Sequence, residues 1–245
     1  MTAGMRYIDA VAGIIERIRV KEQSAMDSAA EAVAAAVRNG GTWHVFGTGH
    51  SHLLAEELFY RAGGFAGVNP ILVESLMLHA DATLSTQMER LEGLARIIWE
   101  RQSARAGDVL LIASNSGRNA VAIEMAEHAK AQGVTVVAVT SLRHSASAES
   151  RHRSGKRLFE ISDIVIDNHG DIGDAAVDID GLDATVGPTS TVVGAMIVNA
   201  IAAEAMERLT RRGIVPDVFS SSNTDEGEAR NRRLIQKYKG AIRCL

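Results

Sequence analysis

The chain has 245 residues, 46% of them apolar, 23% charged and 4% aromatic, with three prolines. That length predicts one large domain or two small ones, with enough chain to bury a full core. The net charge of −4 excludes a basic surface for a polyanion, so no nucleic-acid partner is expected. The lone cysteine, Cys244, excludes a disulfide framework or a cysteine zinc module and suits a reducing cytoplasm. The first twenty or so residues carry charges throughout, unlike a secretory leader. The longest apolar stretch, Thr191 to Met206, holds Asn199 and Glu204 and is about 16 residues long, too short to span a bilayer. A soluble cytoplasmic α/β protein is the expectation.

Between Met5 and Val37 apolar residues recur at helical spacing (Ile8, Val11, Ile14, Ile15, Ile18, then Met26, Ala29, Ala30, Val33, Val37), and Asn39-Gly40-Gly41 supplies a stop. One or two helices therefore precede any strand. Short β-branched runs then alternate with helical stretches. Strands are predicted at Thr42–Phe46, Pro70–Glu74, Asp108–Ser114, Val134–Thr140 and Asp163–Asp167, with helices over 52–62, 84–102, 119–132 and 189–212. Mostly continuous apolar strands mark a parallel sheet covered on both faces. The reading is a three-layer αβα sandwich on a five-stranded parallel sheet, doubly wound in the flavodoxin or Rossmann manner. Residues 1–40 form an N-terminal helical segment, 41–212 the core and 213–245 a C-terminal extension of a single domain. The polar, basic segment Ser141–Arg157 is expected to be a connecting loop.

Ligands of such sheets sit beyond the carboxyl ends of the strands. There the first strand runs into Gly47-Thr48-Gly49-His50-Ser51-His52, whose glycines admit a close ligand and whose free N–H groups favour an anion. Glu74 stands where a ribose-binding acid belongs, but His52 replaces the last glycine of the dinucleotide fingerprint, which weighs against a nicotinamide cofactor. The third strand ends in Ser114-Asn115-Ser116-Gly117-Arg118-Asn119, a nest of donors for phosphate oxygens with no Walker lysine. Gly187-Pro188-Thr189-Ser190-Thr191 opens the last long helix with more hydroxyls than a cap needs.

The GTGHS and SNSGRN loops, in this order, resemble those of the sugar isomerase (SIS) phosphosugar-binding family, over roughly residues 40–210. Within it the chain resembles phosphoheptose isomerases and N-acetylmuramic acid 6-phosphate etherases, and is most similar to a less characterised bacterial subgroup. The resemblance implies that Gly47, Gly49, His50, Ser51, Ser114, Asn115, Ser116, Asn119 and Ser190 bind a sugar phosphate. It implies a homodimer or homotetramer with the site near a subunit boundary. Ala55-Glu56-Glu57-Leu58 resembles the isomerases' glutamate stretch and makes Glu57 the match, one helical turn closer to the loop than in the family. Glu89-Arg90-Leu91-Glu92 resembles the etherases' E-x-x-E, making Glu92 the match and Glu89 the next choice. The isomerases' late-helix histidine has no counterpart in 189–212.

Isomerisation and elimination across C2–C3 of a sugar phosphate both begin with loss of the C2 proton, which needs a base, donors for the enediolate and no cofactor. Glu57 and Glu92 are the expected acid–base pair, with His152 as a loop residue able to close over the sugar. No metal site is expected: His50-x-His52 lacks a third ligand, and Asp167 to Asp174 lacks calcium-loop spacing. His79 and Asp81 are further candidates after the second strand. The expected activity is cofactor-free isomerisation or lyase chemistry on an amino-sugar 6-phosphate. The alternative is a non-catalytic phosphosugar sensor; a purely structural protein leaves both phosphate-type loops unexplained.

Overall fold

The computed structural model describes residues 1–245. Two helices, α1 (Ala3–Lys21) and α2 (Gln23–Arg38), lead in, separated at Glu22. The core then runs β1 (Trp43–Gly47), a 3₁₀ turn (Gly49–His52), α3 (Leu53–Leu58), β2 (Val68–Ile71), α4 (Ala82–Met88), α5 (Leu94–Trp99), β3 (Val109–Ala113), α6 (Ala120–Ala131), β4 (Thr135–Thr140), α7 (Leu142–Ala146), α8 (Leu158–Ile161) and β5 (Ile164–Asp167). A hairpin of β6 (Ala175–Val177) and β7 (Val186–Pro188) leads to the long α9 (Ser190–Arg211), and α10 (Asp225–Tyr238) lies in the C-terminal extension. No helix is long and apolar enough to cross a membrane.

Five parallel strands in the order β2-β1-β3-β4-β5 form the main sheet. Successive side chains point to opposite faces, and each face needs apolar partners because helices cover both. Thus Trp43, Val45, Val109, Leu111, Val137 and Val139 join one core with Ile14 and Ile18 of α1, Val33 of α2, Leu54 of α3 and Ile197 and Ile201 of α9. Phe46, Leu110, Ile112, Val136 and Ala138 join the other with Trp99 of α5 and Val121 and Met125 of α6. Burial on both faces explains why the strands read as unbroken apolar runs.

The five expected strands all form, with one shift. β2 begins at Val68, two residues earlier than the run that suggested it, because pairing of Val68 with Trp43 outweighs the turn signal of Gly67 and Asn69-Pro70. The helix expected over 84–102 is two helices. Gly93, in the left-handed conformation at φ 85°, separates them, and its N–H donates to the Glu124 carboxylate at 2.8–2.9 Å. Residues 141–157 are not wholly loop, since Ser141 caps the short α7 by accepting from the His144 N–H.

Candidate functional site

The chain leaves β1 and β3 toward opposite faces: α3 packs with α2 and α9, α6 with α5. The strand order therefore reverses between β1 and β3, and a cleft opens above their carboxyl ends. Gly47 closes β1 because a Cβ there would lie 2.5 Å from the carbonyl carbon and oxygen of Ser51. The tight turn this permits, helped by the left-handed Gly49, brings Ser51 back over the sheet.

A small pocket results, with Ser51, Ser114, Asn115, Asn168, Ser190 and Thr191 as its polar wall. The Asn115 carbonyl accepts from the Thr140 hydroxyl and the Ser141 N–H, both at 3.1 Å, and its side-chain oxygen accepts from Asn168 Nδ2 at 2.9 Å. The Asn115 Nδ2 is buried with no partner, a donor whose isolation costs free energy unless something arrives to accept from it. Ser114 Oγ accepts from the Gly117 N–H at 3.2 Å, which turns the loop and leaves the Ser114 proton free. Ser190 differs. Its hydroxyl donates to Asp174, whose other oxygen accepts from the backbone N–H groups of Thr189 and Ser190 at 3.1 and 2.8 Å. With its one proton committed, Ser190 offers the pocket an acceptor, suited to a ligand hydroxyl rather than a phosphate oxygen.

The remaining expected residues scatter. Ser116 is half-buried on the loop, and His50 is exposed on the 3₁₀ turn. His52 is buried, bonded through Nδ1 to the Gly49 carbonyl and 3.3 Å from Glu56, so the His-x-His pair does not converge. Asn119 precedes α6 without capping it by its side chain, which instead accepts from Arg151 Nη1 at 3.3 Å. Asp81 caps α4 and His79 is exposed. Asp167 and Asp171 hold protein partners: the N–H groups of Leu142 and His169 for the first, Arg143 for the second.

Glu57, Glu92 and His152 do not line this pocket. Glu57 pairs with Arg61 and accepts from Asn199 Nδ2 at 2.7 Å. Asn199 lies nine residues beyond Ser190, about 13 Å down α9 at 1.5 Å per residue. Glu92 accepts from the Arg153 N–H at 2.8 Å and gathers with Glu124 and the buried His152 along α6.

Closer to the loops stands Glu89. Its carboxylate accepts from the Thr48 hydroxyl at 2.9 Å, and its carbonyl accepts from the Val121 N–H in the first turn of α6. Around it are Arg90, Arg118 and Arg151. Burial, then the charges of Arg118 and Arg90, pull the Arg151 guanidinium below its ordinary range, with Glu89 opposing. The Arg118 Nε is buried without a partner. Arg118 sits inside the Ser114–Asn119 loop, where an arginine ordinarily faces solvent and nothing in the sequence marks its Nε as enclosed.

Fold and site together define a doubly wound α/β protein with a small polar pocket at its switch point. Residues 6–141 match the SIS domain, and the chain belongs to that family. It is 46% identical over 235 residues to a UPF0309 protein of Geobacillus thermodenitrificans, covering 95% of this chain and 94% of that one. A UPF0309 protein of Oceanobacillus iheyensis is 44% identical over 246 residues, the whole of both chains. Among solved structures, a phosphoheptose isomerase from Francisella tularensis superposes with a TM-score of 0.55 at 17% identity, over 84% of this chain and 98% of that one. A putative phosphosugar isomerase from Silicibacter pomeroyi gives 0.52 at 19% identity, over 87% of this chain and 53% of that one. These two likenesses establish the shared α/β fold.

Proposed function

We propose that this chain binds a sugar phosphate at the β1/β3 switch point and removes its C2 proton, leading to isomerisation or to elimination across C2–C3. The observation that carries the reading is the unpartnered Asn115 amide beside the hydroxyls of Ser51 and Ser114, neutral donors converging where a phosphate oxygen would accept. The Thr48-bound Glu89 is the base this reading favours, in place of Glu57 and Glu92. It adjoins the first loop, and Arg118 and Arg151 supply cationic donors for the enediolate oxygen. The base takes the proton from C2. It returns at C1 in isomerisation, or goes to the oxygen leaving C3 in elimination. An amino-sugar 6-phosphate is the proposed class, on the likeness of Glu89-Arg90-Leu91-Glu92 to the etherases. Pairing of subunits belongs to the same reading, since Met5 and Ile8 of α1 stay 47% and 56% exposed. A sedimentation mass of one chain would remove that part.

Proton NMR in D2O with a panel of amino-sugar, hexose and heptulose phosphates tests the chemistry. Deuterium should enter C2, and Glu89→Gln should slow this at least about 100-fold, the usual scale for losing a general base. Exchange that survives Glu89→Gln but fails in Glu57→Gln would move the base to α3. Saturable binding with no exchange across the panel would leave a phosphosugar sensor.

A further inference from the structure

Along α6, away from the pocket, three ligand-type side chains converge from three separate segments. Glu124 comes from α6, Glu92 from the turn before α5 and His152 from the stretch between α7 and α8; one ligand atom of each lies within 4.8 Å of the others. His152 Nε2 is 3.6 Å from Glu124 Oε1 and 4.0 Å from Glu92 Oε1. Its side chain is 3% exposed, and Nε2 has no hydrogen-bond partner.

Each of the three also holds a hydrogen bond within the protein, the carboxylates through the oxygens that face His152. His152 Nδ1 is 2.8 Å from Ser154 Oγ, and in the tautomer that donates its Nδ1 proton there the Nε2 lone pair points into the cluster. Glu124 accepts from the Gly93 N–H, and Glu92 from the Arg153 N–H. Such outer bonds orient a metal's ligands and fix an imidazole's tautomer. The one cation beside the group, Arg153 Nε at 3.7 Å from Glu92, belongs to a side chain 80% exposed and does not reach the buried Glu124. Ligand atoms 2.0–2.2 Å from a tetrahedral ion stand about 3.3–3.6 Å apart, so a modest contraction completes the geometry. Glu92, 37% exposed, leaves one side open for water.

We infer that Glu92, Glu124 and His152 form a binding site for a divalent transition-metal ion. One imidazole with two carboxylates suits zinc, manganese or cobalt over calcium or magnesium. The ion would fasten the 147–157 segment to the 89–93 turn across α6. The same two segments carry Arg151 and Glu89, so the clamp sets their place beside the Ser114–Asn119 loop.

The test titrates metal-stripped full-length protein with Zn2+ in competition with a chromophoric chelator, and records hydrogen exchange with and without the ion. One Zn2+ per chain is expected, with slower exchange over 147–157 and 89–93. His152→Ala and the more exposed Glu92→Gln should each weaken affinity by at least about 10-fold, while His50→Ala leaves it unchanged. Glu92→Gln, at a site that costs the fold little, decides if His152→Ala fails to fold. The proposal is overturned by no binding at 100-fold excess of metal over protein, by affinity unchanged in Glu92→Gln, or by affinity lost in His50→Ala. Any of these leaves the three residues as a salt-bridge cluster only.

Discussion

The two ends of the main sheet treat buried polar groups differently, although each keeps unpartnered atoms, Trp43 Nε1 and Asn69 Oδ1 at the amino end. At the amino ends of the strands the buried Asp108 accepts from the Thr42 and Arg105 N–H groups, both at 2.9 Å, and sits 3.2 Å from His44 Nε2. His44 Nδ1 in turn meets Asn69 Nδ2 at 2.8 Å. Burial works to raise the Asp108 carboxyl, but these bonds, led by His44, more than offset it and hold it below the usual carboxylate range. At the carboxyl ends the Asn115 amide and the Arg118 Nε face no partner at all. A satisfied polar group stabilises a fold; an unsatisfied one costs free energy that a ligand can return.

Substitutions at the two ends should separate these roles. Asp108→Ala strands the buried His44 ring and two part-buried N–H groups and should cost about 3 kcal/mol in urea denaturation at neutral pH. The folded-state pKa of Asp108 is depressed, so its contribution is complete above the ordinary carboxylate pKa and is lost as pH falls below it. Asp108→Ala should therefore flatten the acid limb of the stability curve, and an unchanged limb would reassign it. Gly47→Ala drives a methyl into the Ser51 backbone, and about 1–3 kcal/mol of overpacking should appear as a lowered Tm together with lost ligand binding. Ser51→Ala should break the symmetry the other way: stability within about 0.5 kcal/mol, but affinity for a sugar phosphate lower by about 5–10-fold in calorimetry. Glu57→Gln loses a partly exposed i,i+4 charge pair but keeps an amide oxygen for Asn199, and should shift stability by less than about 0.5 kcal/mol. A larger change in C2 exchange than in stability would return Glu57 to the site.

The layers and the five strands were legible because burial on both faces forces continuous apolar runs, and the helices between them carry their own spacing. The two loops were legible because glycines and hydroxyls at strand ends have few other reasons to cluster. The carboxylates were not. Glu89 and Glu92 lie three residues apart, yet one turns to Thr48 and the other to Arg153, because both fall in the turn between the end of α4 at Met88 and the start of α5, a turn whose Gly93 is held by Glu124 from another element. Glu124 itself left a trace, a lone charge within the apolar run Ala120 to Ala126. Asp174 stood out only as part of an acidic turn, since its link to the start of α9 exists only once the β6–β7 hairpin has formed.

The placement of α9 carries a kinetic consequence. It belongs to the last quarter of the chain, yet it packs on α2, burying Ala30 and Val33 against a common core with Ile197 and Ile201. Its first turn also completes the pocket through Ser190 and Thr191. Until α9 docks, α2 lacks a packing partner and the pocket lacks a wall, so α2 should gain protection and the pocket close in one late event. A ligand bridging Ser51 and Ser114 to the start of α9 would then slow amide exchange in α2, a helix absent from the pocket's lining.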